Sequence, residues 1–99
     1  MTADHVLARL TAATELPACF VRRVTELPAG GSVPYEPVDW RGAVVVVSQG
    51  VVELLLRSGV RRRFLARDVL WLAGLDVREL HNPGLDVAAL VSVRRAADA

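Results

Sequence analysis

Apolar and polar positions fall into short blocks along most of this chain, and glycine, proline or asparagine closes nearly every block. The exception comes first. Val6, Leu7, Leu10 and Ala13 recur at near-helical spacing between Thr2 and Glu15, and Pro17 ends whatever helix forms there, so the segment reads as a short helix or loose arm. From Ala18 the period changes. Cys19-Phe20-Val21 leads into Arg22-Arg23-Val24-Thr25-Glu26-Leu27, a β-branched and charged strand pattern closed by the turn Pro28-Ala29-Gly30-Gly31. Ser32 to Trp40 carries Pro34 and Pro37, which cannot donate to a central ladder and confine this piece to an edge or an irregular strand.

Gly42 then opens Ala43-Val44-Val45-Val46-Val47-Ser48, Gln49-Gly50 makes a turn, and Val51-Val52-Glu53-Leu54-Leu55-Leu56-Arg57 is expected to run back as a hairpin. Valine content, short length and glycine punctuation favour strands over buried helix here. Val60 to Leu65, Val69 to Leu72, Val77 to His81 and Asp86 to Arg94 follow, separated by the turns at Ala66-Arg67-Asp68, Ala73 to Asp76 and Asn82-Pro83-Gly84. Together these make about eight short strands with regular turn signals, the mark of a sandwich or closed barrel. The expected core comprises Val21, Val45, Val47, Val52, Leu54, Leu56, Phe64, Val69, Leu72, Leu80, Leu90 and Val93. The expected layout is an arm over residues 1–17, one β-barrel domain over 18–95 and a tail over 96–99.

Ninety-nine residues suit a single domain, and 53% hydrophobic against 23% charged residues gives enough apolar surface to offset the entropy of ordering the chain. A formal net charge of +1, with basic residues scattered among acidic ones, offers no broad field to phosphate backbones or anionic lipids, so neither nucleic acid nor membrane is an expected partner. All twelve basic residues are arginine, which points to a GC-rich coding bias and a bacterial source. Cys19 is the only cysteine, which rules out an internal disulfide and a four-cysteine zinc site and fits the reducing cytoplasm. No secretory signal pattern stands out, and no apolar run reaches the roughly 18 residues that span a bilayer. The apolar runs Val44-Val47 and Leu54-Leu56 exceed what one barrel interior hides, so a homodimer is expected.

Three turns in order, Leu27-Pro28-Ala29-Gly30-Gly31, Ser48-Gln49-Gly50 and Arg67-Asp68 to Ala73-Gly74, with Asn82-Pro83-Gly84 downstream, resemble those of a cupin across about Phe20 to Arg95. The resemblance implies an all-β, cupin-like double-stranded β-helix or jelly-roll barrel with a short N-terminal arm. It also implies where a cupin holds its metal. With Gly50 as anchor and Gly30 or Gly31 as the opening glycine, the histidine pair falls on Glu36 and Val38 or on Pro37 and Asp39, and the glutamate on Ala43. With Gly74 as anchor the remaining histidine falls on Val77 and the following asparagine position on His81. Borderline metals want imidazole with carboxylate, and these positions offer one carboxylate at most, so no metal and no cofactor are expected.

Glu36, Asp39 and His81 are the candidate acid–base groups; solvated carboxylates and a turn-bonded structural histidine are the plainer readings. Val77 and His81 stand four apart, which on an ideal strand puts both on one face. Tyr35, Trp40 and Trp71, with Val77 and His81, are the candidate ligand-binding residues, since aromatic walls with a few polar tips build small-molecule sites. Arg61-Arg62-Arg63 alternates faces, and Glu53 is its expected cross-strand partner. Two functions fit. One is a metal-free module that binds a small apolar molecule or a protein partner in a non-catalytic or regulatory role. The other is a metal-independent isomerase, cyclase or lyase of bacterial secondary metabolism using Glu36, Asp39 or His81.

Overall fold

The computed structural model describes residues 19–96. The arm expected over residues 1–17, with His5, and the last residues of the tail lie outside them. Eight strands form: β1 (Phe20–Leu27), β2 (Ser32–Pro34), β3 (Val44–Gln49), β4 (Val51–Leu56), β5 (Arg61–Leu65), β6 (Val69–Leu70), β7 (Val77–His81) and β8 (Ala88–Arg95). One helical turn, α1 (Pro37–Trp40), lies between β2 and β3. The strands make two antiparallel four-stranded sheets, β1-β8-β3-β6 and β2-β7-β4-β5. This is the all-β jelly-roll arrangement.

Successive strands change sheets at every connection among the described residues except β4 to β5, which pair as a hairpin around Ser58-Gly59. The hairpin expected between β3 and β4 is therefore corrected: β3 pairs with β8 and β6, while β4 pairs with β7 and β5. Gly50 is the hinge of that crossing. Its φ of +76° suits glycine, and a Cβ there would stand 3.0 Å from the Val87 carbonyl oxygen and the Ala88 Cα. Sequence alone reads the same glycine as a hairpin turn because both geometries need a positive φ. The irregular strand expected over Ser32 to Trp40 is also shorter than read. Pro34 ends the edge strand β2, and Pro37 opens α1, where its missing N–H costs nothing.

The inner faces meet in one cluster of Leu27, Val45, Val47, Val52, Leu54, Leu70, Leu72, Val77, Leu80, Ala88, Leu90 and Trp40. Each fully buried leucine in it contributes roughly 1.5–3 kcal/mol of hydrophobic transfer. Two expected core residues are corrected: Val21 is 38% and Val69 41% exposed. Val69 pairs with Val46 on the outer face of the first sheet, so its neighbour Leu70 takes the inward place. Leu56 and Phe64 are half-buried against the cluster, and Val93 is buried outside it.

Candidate functional site

One end of the barrel is shaped by the segment from β2 to β3 and by the start of β7. Tyr35 donates its backbone N–H to the Arg78 carbonyl at 2.9 Å, which ties the exit of β2 to β7. Asp39 N–H donates to the Glu36 carbonyl at 2.9 Å, and Ala43 N–H to the Trp40 carbonyl at 3.1 Å, so the helical turn closes on itself. Trp40 is thereby turned into the core, 4% exposed, where it joins the cluster that also holds Leu72 and Val77. Ala43, next to the inward-facing Val45, is buried too. Tyr35, Leu56 and Leu75 pack half-buried against the core cluster and lie near Val77, which pairs with Leu56 and donates its N–H to the Leu75 carbonyl, while Tyr35 bonds to Arg78 beside it.

β7 carries an irregularity that decides which of its side chains enter the barrel. Leu55 pairs with Glu79 and Leu56 with Val77, so Arg78 is an extra residue in the ladder. Such a bulge inverts the in–out alternation. Val77 points inward, 2% exposed, whereas His81 pairs with Glu53 on the outer face. The shared face expected for Val77 and His81 is corrected on that ground. His81 Nδ1 lies 2.7 Å from Ser32 Oγ across the β2–β7 ladder.

The outer face of the same sheet carries a polar row from Ser32 through His81 and Glu53 to Arg63. Glu53 is buried there between two guanidinium groups: Arg61 donates to Oε1 at 2.9 Å and Arg63 to Oε2 at 3.3 Å. The Arg61 hydrogen bond, opposed by desolvation and aided by Arg63, holds the Glu53 carboxyl below its ordinary range. Glu53 is the partner expected for the arginine run.

Glu36 is exposed ahead of α1, Asp39 is exposed within it, and His81 lies on the far side of the second sheet. No shared cavity brings these three together in the described residues. Asp39 instead faces Arg23, with Oδ1 3.5 Å from Nη1. Trp71, at 53% exposure, stands outside the Trp40 cluster. Arg23, whose guanidinium carbon lies 5.3 Å from the Trp40 ring centre, was not singled out by the sequence reading. A signal for it exists: stepping back by two from Leu27 through Thr25 places Arg23 on the inward side of β1.

A cupin metal needs imidazole and carboxylate ligands converging from neighbouring strands. Here the corresponding inward positions are Ala43 and Val77, while Glu36, Pro37, Val38 and Asp39 are all exposed. No group of three His, Cys, Asp or Glu side chains suited to a metal occurs among the described residues. The residues present do not fit a cupin's metal centre.

No family model and no curated protein matches the sequence. Solved structures do. A cupin 2 conserved barrel domain protein from Salinispora arenicola is 22% identical with a TM-score of 0.60, over 82% of this chain and 66% of that one. The cupin 2 domain of an XRE family transcriptional regulator from Enterobacter cloacae is 20% identical with a TM-score of 0.58, over 82% and 85%. ToxT from Vibrio cholerae, solved with a bound unsaturated fatty acid, is 11% identical with a TM-score of 0.61, over 85% of this chain but 32% of its own. The chain thus spans just under two thirds of the Salinispora protein and about a third of ToxT. Two facing antiparallel sheets linked by sheet-crossing connections, and these likenesses, establish that the chain has the cupin fold.

Proposed function

We propose that this protein is a metal-free, non-catalytic binding module that takes a small apolar molecule at the barrel end formed by Trp40, Ala43 and Val77 and rimmed by Tyr35, Leu56 and Leu75. The carrying observation is the chemistry of that end: alanine and valine stand where a cupin's ligands would converge, with a tryptophan buried beside them. Apolar walls with one aromatic face favour an apolar guest over an ion. The separation of Glu36, Asp39 and His81 supports this reading over acid–base catalysis. The cupin domain of a transcriptional regulator and the fatty-acid-bound ToxT among the structural neighbours support a regulatory role.

A homodimer is part of the proposal. The outer face of the first sheet carries the row Val24, Val91, Val46 and Val69 across all four strands, which suits a second copy. A cytoplasmic, bacterial setting belongs to it as well, supported by the lone cysteine and the arginine-only basic set. No described helix is long and apolar enough to cross a membrane.

The test uses Trp40 as reporter. Trp71→Phe removes the exposed tryptophan and leaves the buried one as the only indole. Titration with decanol should change its emission saturably, and Leu75→Asp at the half-buried rim should abolish the change. Emission that drifts without saturating up to the solubility limit would refute the proposal.

A further inference from the structure

β1 presents three side chains to the barrel interior, and their burial deepens along the strand. Arg23 pairs in register with Ser92, which faces Val45; Thr25 pairs with Leu90, which faces Val47; Leu27 pairs with Ala88. Val45, Val47, Leu90, Ala88 and Leu27 all belong to the core cluster, so this is the inward face. Arg23 lies at the rim, Thr25 is half-buried, and Leu27 is wholly enclosed.

Thr25 Oγ1 is shut off from solvent and has no hydrogen-bond partner. Buried hydroxyls are ordinarily bonded, so an orphaned one is a donor left open to a partner from outside the protein. Two residues along the same face, the Arg23 guanidinium lies over the Trp40 ring at 5.3 Å. Its acceptors there are Asp39 Oδ1 and the Asp39 carbonyl, both at 3.5 Å. These are long for charge-assisted bonds, which run at about 2.7–2.9 Å. The guanidinium carries five N–H donors in a fixed fork matched to a carboxylate. Trp40 joins this polar corner to the apolar end of the barrel, since its ring touches both Arg23 and the core cluster.

Resting on the apolar-ligand reading above, we infer that the ligand is an amphiphilic monocarboxylate. Its carboxylate binds the Arg23 guanidinium at the rim, the Thr25 hydroxyl donates to it once the side chains that seal Oγ1 part, and its hydrocarbon chain runs over Trp40 toward Tyr35, Leu56 and Leu75. Asp39 beside Arg23 disfavours a doubly charged head such as a phosphate monoester and leaves room for a single negative charge. A neutral head forfeits the charge-assisted bonds, and a cationic head meets Arg23 directly.

The experiment compares decanoate, decanol and decylammonium, each below its micellar concentration, by Trp40 emission in the full-length Trp71→Phe protein. Decanoate should bind saturably and about tenfold or more tighter than decanol, the size of effect expected of hydrogen bonds to a charged group. Decylammonium should bind more weakly than decanol. Arg23→Gln should bring decanoate down to the decanol affinity measured in the same variant, and the near-isosteric Thr25→Val should weaken decanoate a few-fold relative to decanol. Equal affinity for decanoate and decanol would overturn the carboxylate inference and leave the apolar-ligand reading standing. Saturable binding of neither would overturn both. A decanoate preference that survives both Arg23→Gln and Thr25→Val would overturn the placement of the head group.

Discussion

Asn82 has no solvent exposure, and its side chain clasps three stretches of backbone. Nδ2 donates to the Leu27 carbonyl at 3.0 Å and to the Asp86 carbonyl at 2.7 Å, and Oδ1 accepts from Gly84 N–H at 2.9 Å. Its backbone joins the same clasp, donating to Gly31 and accepting from Gly30, both at 2.9 Å. Asn82→Ala removes the three side-chain bonds and keeps the backbone pair. Leu27 is fully buried, so its carbonyl loses a partner where water does not reach, which costs about 1–3 kcal/mol. The Asp86 and Gly84 groups lie in an accessible loop and recover water, so each loss costs about 0.5–1 kcal/mol. The expected total is about 2–5 kcal/mol, a drop of roughly 8–40 °C in Tm for a domain of this size. Asn82→Asp is the sharper probe, because a carboxylate offers acceptors to two carbonyl oxygens. It should be less stable than Asn82→Ala at neutral pH. Burial raises the folded-state pKa of such a carboxyl, so its deficit should shrink as acidification restores one donor. Urea unfolding of all three proteins at neutral and acidic pH measures this. The reasoning fails if Asn82→Ala lies within about 0.5 kcal/mol of the parent, where ordinary surface substitutions fall, or if Asn82→Asp is the more stable variant at neutral pH.

Glu53→Gln should cost about 0.5–1 kcal/mol near neutrality, since Arg61 and Arg63 are more than half exposed and solvent screens them. The folded carboxyl titrates below its ordinary range, so the advantage is present above the unfolded carboxylate pKa and is lost as pH falls through the folded value; parent and variant should converge in acid. Elemental analysis should find far less than one equivalent of zinc, iron, nickel or manganese per chain after mild chelator dialysis, unaffected by His81→Ala. Close to one retained equivalent lost on that substitution would contradict the reading of Ala43 and Val77. Sedimentation at micromolar concentration should show a dimer that Val24→Asp converts to monomer, and a clean monomer in the parent would count against the outer-face pairing.

The strands were legible in the sequence because glycine and proline bound them, and the inward faces of β3 and β4 follow from alternation at Val45, Val47, Val52 and Leu54. Connectivity was not. Val44-Val47 and Val51-Leu56 carry the pattern of a hairpin whether they pair or cross between sheets, and only the partners β8 and β7 decide. The side of His81 was hidden for a related reason. One bulged residue, Arg78, reverses the parity of β7, and an arginine in a strand carries no mark of a bulge. Trp40 is the third case: beside Asp39 and Arg41 it reads as a pocket or interface aromatic, and the turn opened by Pro37 places it in the core. Asn82 read as a turn residue, while its reach to Leu27 depends on strands that meet only in the fold.

The proposed function puts an apolar guest at the end of the barrel where a cupin's ligands would converge. Methyl and indole chemical-shift mapping during titration with decanoate tests it most directly. Shifts should saturate together and concentrate on Trp40, Leu56, Leu75 and Val77, with the outer-face methyls of Val24, Val46 and Val69 unmoved. Shifts confined to the outer face, with Trp40 and Val77 unchanged at saturation, would contradict it.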